Sequence, residues 1–74
     1  MKEEIRKLFI EKTGIKAEDL NEEFELTDLG IDSLKLLMLV NEFEEKFNVE
    51  ISDEDLLKIH TFGDIVRIIN KSHE

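Results

Sequence analysis

The chain predicts an all-α fold, a small four-helix bundle of three main helices and a short third one, with a long loop between helices 1 and 2. Apolar residues recur at i, i+3 and i+4 in the first and last segments, and capping residues stand ahead of the helix-forming stretches. Size is the third observation. With 74 residues, 41% hydrophobic and 39% charged, residues 1–74 make one domain. Surface scaling leaves roughly 62% of the unfolded chain's surface buried, enough to fold alone with little margin.

Ile5, Leu8 and Phe9 form an amphipathic stripe that predicts a helix from Lys2 to Thr13, and Gly14 supplies the stop. From Ile15 to Ile31 the apolar residues (Ile15, Leu20, Phe24, Leu26, Leu29, Ile31) are irregularly spaced among acids. Asn21, Thr27-Asp28 and Gly30 add turn signals, so this stretch reads as a long packed loop. Loops of that length are often functional, which directs attention to its far end. There Asp32 is an N-cap candidate, and Ser33 to Phe47 contains good helix formers with no glycine or proline. Ser52 and Asp55 have capping-box spacing before Leu56, Leu57 and Ile59, giving the short third helix. Thr61 and Asp64 repeat the spacing, and Phe62, Ile65, Val66 and Ile69 carry a last helix to Lys71.

On a helical wheel with Ser33 at zero, Leu36, Leu39, Val40, Phe43 and Phe47 fall between about 240° and 340°, the core stripe. Leu34, Leu37 and Met38 fall between about 40° and 140°, with Asn41 and Glu45, and Glu44 stands at the edge of that sector near 20°. Two readings fit these surplus apolar residues: a central helix contacted on several sides, or a docking patch rimmed by acids for a partner groove bordered by Lys and Arg.

Ten basic and nineteen acidic residues give a net charge of −9, which opposes binding to nucleic-acid phosphates or to an anionic membrane leaflet and favours basic partners. The longest apolar run is Leu36 to Val40, far too short to span a membrane, and Met1-Lys2-Glu3-Glu4 lacks a signal region, so no membrane insertion is expected. With no cysteine there is no disulfide, thiolate nucleophile or thiolate-ligated metal, which suits a reducing, cytoplasmic setting.

Ser33 lies near the first-turn amides and the positive end of the helix dipole, where a phosphate ester is favoured; a second capping residue is the plainer reading. A hydrolase would need a G-x-S-x-G elbow and a histidine base. The glycine here lies three residues before the serine, and His60 and His73 have solvent-facing or capping positions. Asp53-Glu54-Asp55 lacks the spacing and glycine of an EF-hand. No catalytic and no metal-ligating residues are expected.

Leu29-Gly30-Ile31-Asp32-Ser33-Leu34 resembles the phosphopantetheine attachment motif of acyl carrier proteins. The likeness extends over almost the whole chain, through Phe43-Glu44-Glu45-Lys46-Phe47, Ile51 to Asp55 and Thr61. The resemblance implies that Ser33 takes 4'-phosphopantetheine as a phosphodiester, that Asp32 helps position the modifying enzyme or its metal, and that Leu34 packs beside the arm. It also implies that Leu37, Met38, Asn41, Glu44 and Glu45 form the recognition face. Partners would be a phosphopantetheinyl transferase and acyl-processing enzymes with basic docking patches, met by a monomer. Leu39, Phe43, Leu56, Ile59, Phe62 and Ile65 are candidates for lining an acyl pocket, and each also fits ordinary core.

The serine has no general base in this chain, so the protein would be a carrier and the substrate of a transferase, not an enzyme. Fatty-acid carriers usually have acids in the first turns of this helix, where this chain has Lys35 and Met38. Fatty acid biosynthesis is the leading expectation, with a specialised polyketide, nonribosomal peptide or other dedicated acyl pathway second. An unmodified helical adaptor is a more distant alternative.

Overall fold

The computed structural model describes residues 2–73. Helix α1 spans Lys2–Thr13, α2 Ser33–Phe47, α3 Asp53–Leu56 and α4 Phe62–His73, in the order and number expected. Helix α4 runs two residues past the predicted Lys71.

Helix α1 buries Ile5, Leu8 and Phe9 and ends at Gly14, whose positive φ of 77° lets its N–H reach the Ile10 carbonyl at 2.8 Å. The following segment departs from a featureless loop, because 3-10 turns occupy Ala17–Asp19 and Leu26–Leu29. Arg6 accounts for the first: its guanidinium donates to the carbonyls of Ala17 and Leu20, tying both ends of the turn to α1. Such side-chain to backbone bonds depend on tertiary approach and leave no periodic trace in the sequence.

Residues 22–26 also lie antiparallel to the start of α4. Leu26 N–H donates to His60 O, Phe62 N–H to Phe24 O and Gly63 N–H to Glu22 O, at 2.9–3.0 Å. The pairing stops at one bridge, Glu25 opposite Thr61. Gly63 permits this approach, since a Cβ there would stand 2.7 Å from the Glu22 carbonyl oxygen.

The core is the meeting of α1, α2 and α4. Phe9, Phe43, Phe62, Ile5, Ile65 and Ile69 are fully buried, and Phe9 meets Phe62 edge to face at 5.1 Å between ring centres. On α2, Leu39, Val40 and Phe43 are buried while Leu36 and Phe47 are half-buried at the edges of the stripe. Helix α3 is one turn long and buries no residue completely. Two tethers hold it: Ser52 Oγ accepts the Asp55 N–H at 3.1 Å, and Glu44 Oε2 accepts the Ile51 N–H at 2.8 Å.

Candidate functional site

The start of α2 is built by a sequence of local turns. Gly30 closes the second 3-10 turn in the left-handed region (φ 72°), its N–H reaching the carbonyls of Leu26 and Thr27. An L-residue with a side chain would be strained there. Asp32 then returns to extended backbone and its Oδ1 accepts the Lys35 N–H at 2.9 Å, making Asp32 the N-cap.

The two readings of Ser33 separate on this point. Because Asp32 caps the helix, Ser33 is its first helical residue, exposed, and its hydroxyl makes no hydrogen bond among the described residues. Modifying that oxygen breaks nothing in the fold. The amides of the first turn and the helix dipole favour an anion at this end; no acid lies within the turn itself, and the Asp32 carboxylate beside it already occupies the Lys35 amide.

A groove of about 380 Å³ opens beside Ser33 between α2 and α3, its walls including Asp32, Leu36, Leu56, Leu57, Ile59 and His60. A polar entrance at Ser33 thus leads onto an apolar wall, which fits a phosphodiester carrying a long flexible arm. His60 lines the same groove, and no hydrogen bond joins it to Ser33 among the described residues. The side chain of His73 lies outside the described residues.

The predicted residues divide sharply in their surroundings. Leu34 is 66% exposed, Met38 62% and Leu37 42%, so these three are not core. Asn41 and Glu45 are exposed beside them. Glu44 is half-buried, and its bond to the Ile51 amide gives it a structural task the sequence did not reveal. Of the six candidate pocket residues, Leu56 and Ile59 line the Ser33 groove, whereas Phe43, Phe62 and Ile65 are closed within the core. Leu39 is buried and faces a separate cleft on the α1 side of α2.

Leu57, 80% exposed at the mouth of the groove, was missed. Its signal was available, because on a helix one turn long the adjacent Leu56 and Leu57 cannot both face inward.

Away from Ser33, Asp64 is the most heavily bonded carboxylate. Partial burial pushes its pKa up, but hydrogen bonds from the His60 and Thr61 amides, the Arg67 guanidinium and the Thr61 side chain outweigh this and hold it below the ordinary aspartate value. Glu22 is likewise lowered, by the hydrogen bond and charge of Lys2 at 2.6 Å.

A small helical bundle with a free, exposed serine at the head of its second helix defines a domain of the phosphopantetheine-attachment class. The family described as "Phosphopantetheine attachment site" matches residues 3–69. The acyl carrier protein of Wolinella succinogenes is 44% identical over 68 residues, covering 90% of each chain. That of Thermotoga maritima is 46% identical over 68 residues, covering 90% of this chain and 84% of the relative. A crystal structure of an acyl carrier protein from Thermotoga maritima superposes with a TM-score of 0.77 at 33% identity, covering 93% of this chain and 81% of that one. The chain belongs to the acyl carrier protein family. It is a non-catalytic carrier, its cofactor is 4'-phosphopantetheine, and no described helix is long and apolar enough to cross a membrane.

Proposed function

We propose that Ser33 is the attachment point, and that the protein carries acyl intermediates of fatty acid biosynthesis in the cytoplasm. The observation that carries the site assignment is the exposed Ser33 hydroxyl, free of fold-stabilising bonds at the head of α2 and at the entrance of a partly apolar groove. When bound, the cofactor supplies a terminal thiol on which acyl groups ride as thioesters.

The chain's own residues have three tasks in this reading. Asp32 closes the first turn by capping it, leaving the serine hydroxyl free for a transferase that brings its own base and metal. Leu36, Leu56, Leu57 and Ile59 offer the arm an apolar wall. Leu34, Leu37 and Met38, with Asn41 and Glu45, meet the transferase and the acyl-processing enzymes, the acids facing basic patches. An acyl chain entering among Phe43, Phe62 and Ile65 would have to part a closed core, so we assign its first contacts to the groove. The protein acts as a monomer.

A dedicated acyl pathway is the second reading. Lys35 in the first turn of α2 and the exposed apolar Met38 and Leu57 favour it, since they make the docking surface less acidic and more apolar than charge steering alone requires.

The test of the site is intact-mass analysis after incubation with coenzyme A, magnesium and a broad-specificity phosphopantetheinyl transferase. One added phosphopantetheine on the native chain and none on a folded Ser33→Ala variant is the expected result. Equal addition to both would refute the assignment of Ser33. Its melting temperature should be unchanged within the equivalent of about 0.5 kcal/mol, because the hydroxyl holds nothing in the fold.

A further inference from the structure

The groove beside Ser33 differs in charge from the other clefts of the protein. Those on the α1 side of α2, at the start of α4 and along α1 each include at least one lysine or arginine. Among the described residues, the Ser33 groove has neither. Its charged walls are the carboxylates of Glu25 and Asp32, and His60 is the one lining residue able to carry a positive charge.

His60 is placed to use that charge. Its N–H donates to Asp64 Oδ2 at 2.9 Å and its carbonyl accepts the Leu26 N–H at 3.0 Å, so its backbone is held on both sides. The residue is exposed, and its ring makes no hydrogen bond among the described residues. With the backbone already fixed, ordering the imidazole against a partner costs only its own side-chain torsions. Of the other charged groups near it, Lys58 at the end of α3 lies outside the groove's walls. The Asp64 carboxylate from α4 is committed to the His60 and Thr61 amides and to Arg67.

A phosphodiester on Ser33 adds a permanent anion to a groove that already holds two carboxylates. A cavity of about 380 Å³ is little wider than the screening length, about 8 Å at physiological salt, so charges facing each other across it still interact. The first-turn amides answer part of the new charge, but Asp32 already occupies that of Lys35. An imidazolium answers more of it, and histidine is the side chain that takes up such a charge near neutral pH.

We infer that the protonated His60 imidazole pairs with the phosphodiester formed on Ser33 and so holds the root of the arm against the α3 side of the groove. His60 is a positioning residue: it takes no part in acyl transfer and biases the arm to leave the helix toward Leu56 and Leu57. The inference rests on the carrier reading above and deepens it, by making the hold on the arm depend on pH near neutrality.

The test loads the full chain using coenzyme A, magnesium and a broad-specificity phosphopantetheinyl transferase, verifies loading by intact mass, and follows the phosphorus resonance from about pH 5.5 to about 8. Neither a phosphodiester nor an ordinary carboxylate titrates in that window, so an inflection there reports a neighbouring group. The native protein and a His73→Gln variant should show an inflection between about pH 6 and 7.5, and His60→Gln should show none. On the native protein at about pH 6, loading should also move the ring proton signals of His60 more than those of His73. Raising the salt to about 1 M should shrink the inflection.

A flat phosphorus signal in the native protein would overturn the pairing while leaving the carrier reading intact. An inflection that survives in His60→Gln, or that is lost in His73→Gln, would do the same. So would His60 ring signals that do not respond to loading, a readout that needs no variant. Failure to load at Ser33 would overturn the carrier reading and this inference together.

Discussion

Asp64 makes the sharpest prediction about how the site is held in shape. Its carboxylate accepts the N–H groups of His60 at 2.9 Å and Thr61 at 3.0 Å and pairs with Arg67, while its own amide donates to Thr61 Oγ1 at 3.2 Å. This is a reciprocal capping box with aspartate in the place usually taken by glutamate. It fixes the segment that pairs with residues 22–26 and forms one wall of the Ser33 groove.

Losing a cap costs about 1 kcal/mol, and a hydrogen bond to a charged group contributes about 1.5–3 kcal/mol net, less what water recovers by reaching the freed amides. With the side chain only 21% exposed, compensation is partial, and Asp64→Ala should cost about 2–3 kcal/mol overall. For a domain of this length that lowers the melting temperature by roughly 8–24 °C, against a total stability of about 4–11 kcal/mol. Asp64→Asn, which keeps an acceptor but loses the charge, should fall about midway between native and Asp64→Ala.

Circular-dichroism melts and urea titrations on the three proteins measure this. The pH dependence supplies the sign. A carboxyl whose folded pKa lies below its unfolded value stabilises fully above the unfolded value, and that contribution is lost as pH falls through the folded one. The gap between native protein and Asp64→Ala should therefore hold from neutral pH down to about 5 and narrow below about 4. A gap under about 0.5 kcal/mol at neutral pH, or one unchanged into strong acid, would refute the reasoning.

Three further outcomes are expected. Gly63→Ala puts a methyl 2.7 Å from the Glu22 carbonyl oxygen; it should cost about 1–3 kcal/mol and speed hydrogen exchange at Leu26, Phe62 and Gly63. Glu44→Ala strips the Ile51 amide of its acceptor and should cost about 1–2 kcal/mol, with Glu44→Gln near native, as read by urea titration and by exchange at Ile51. Met38→Ser should leave the urea midpoint within the equivalent of about 0.5 kcal/mol, since the side chain is largely exposed. It should nevertheless raise the dissociation constant for a partner enzyme about fivefold or more, measurable by calorimetric titration.

The helices of this protein were legible in its sequence because each is specified by residues close together in the chain. The stripe of Ile5, Leu8 and Phe9, the Asp32 cap and the paired spacings of Ser52 with Asp55 and Thr61 with Asp64 act within a turn or two, and all of them form as local chemistry dictates. The serine at the head of α2 and the apolar residues facing away from the core follow from the same periodicity. What local pattern could not supply was contact between distant segments. Arg6 folding the first turn of the loop, Gly63 admitting the Glu22 carbonyl and Glu44 holding Ile51 join residues separated by at least seven positions, and none of them repeats with a helical period.

The same limit governs the cavities. Periodicity placed Leu56, Ile59, Phe62 and Ile65 on inward faces but could not separate groove wall from closed core, because that depends on how far apart the helices stand. The sequence alone determined the helices and the Asp32 cap, since these are local, and left Ser33 between a second cap and a free hydroxyl. Only the tertiary structure decided which apolar residues border open space and that Lys12 and Lys35 share one cleft, since these depend on distances between elements the chain connects only through a long loop.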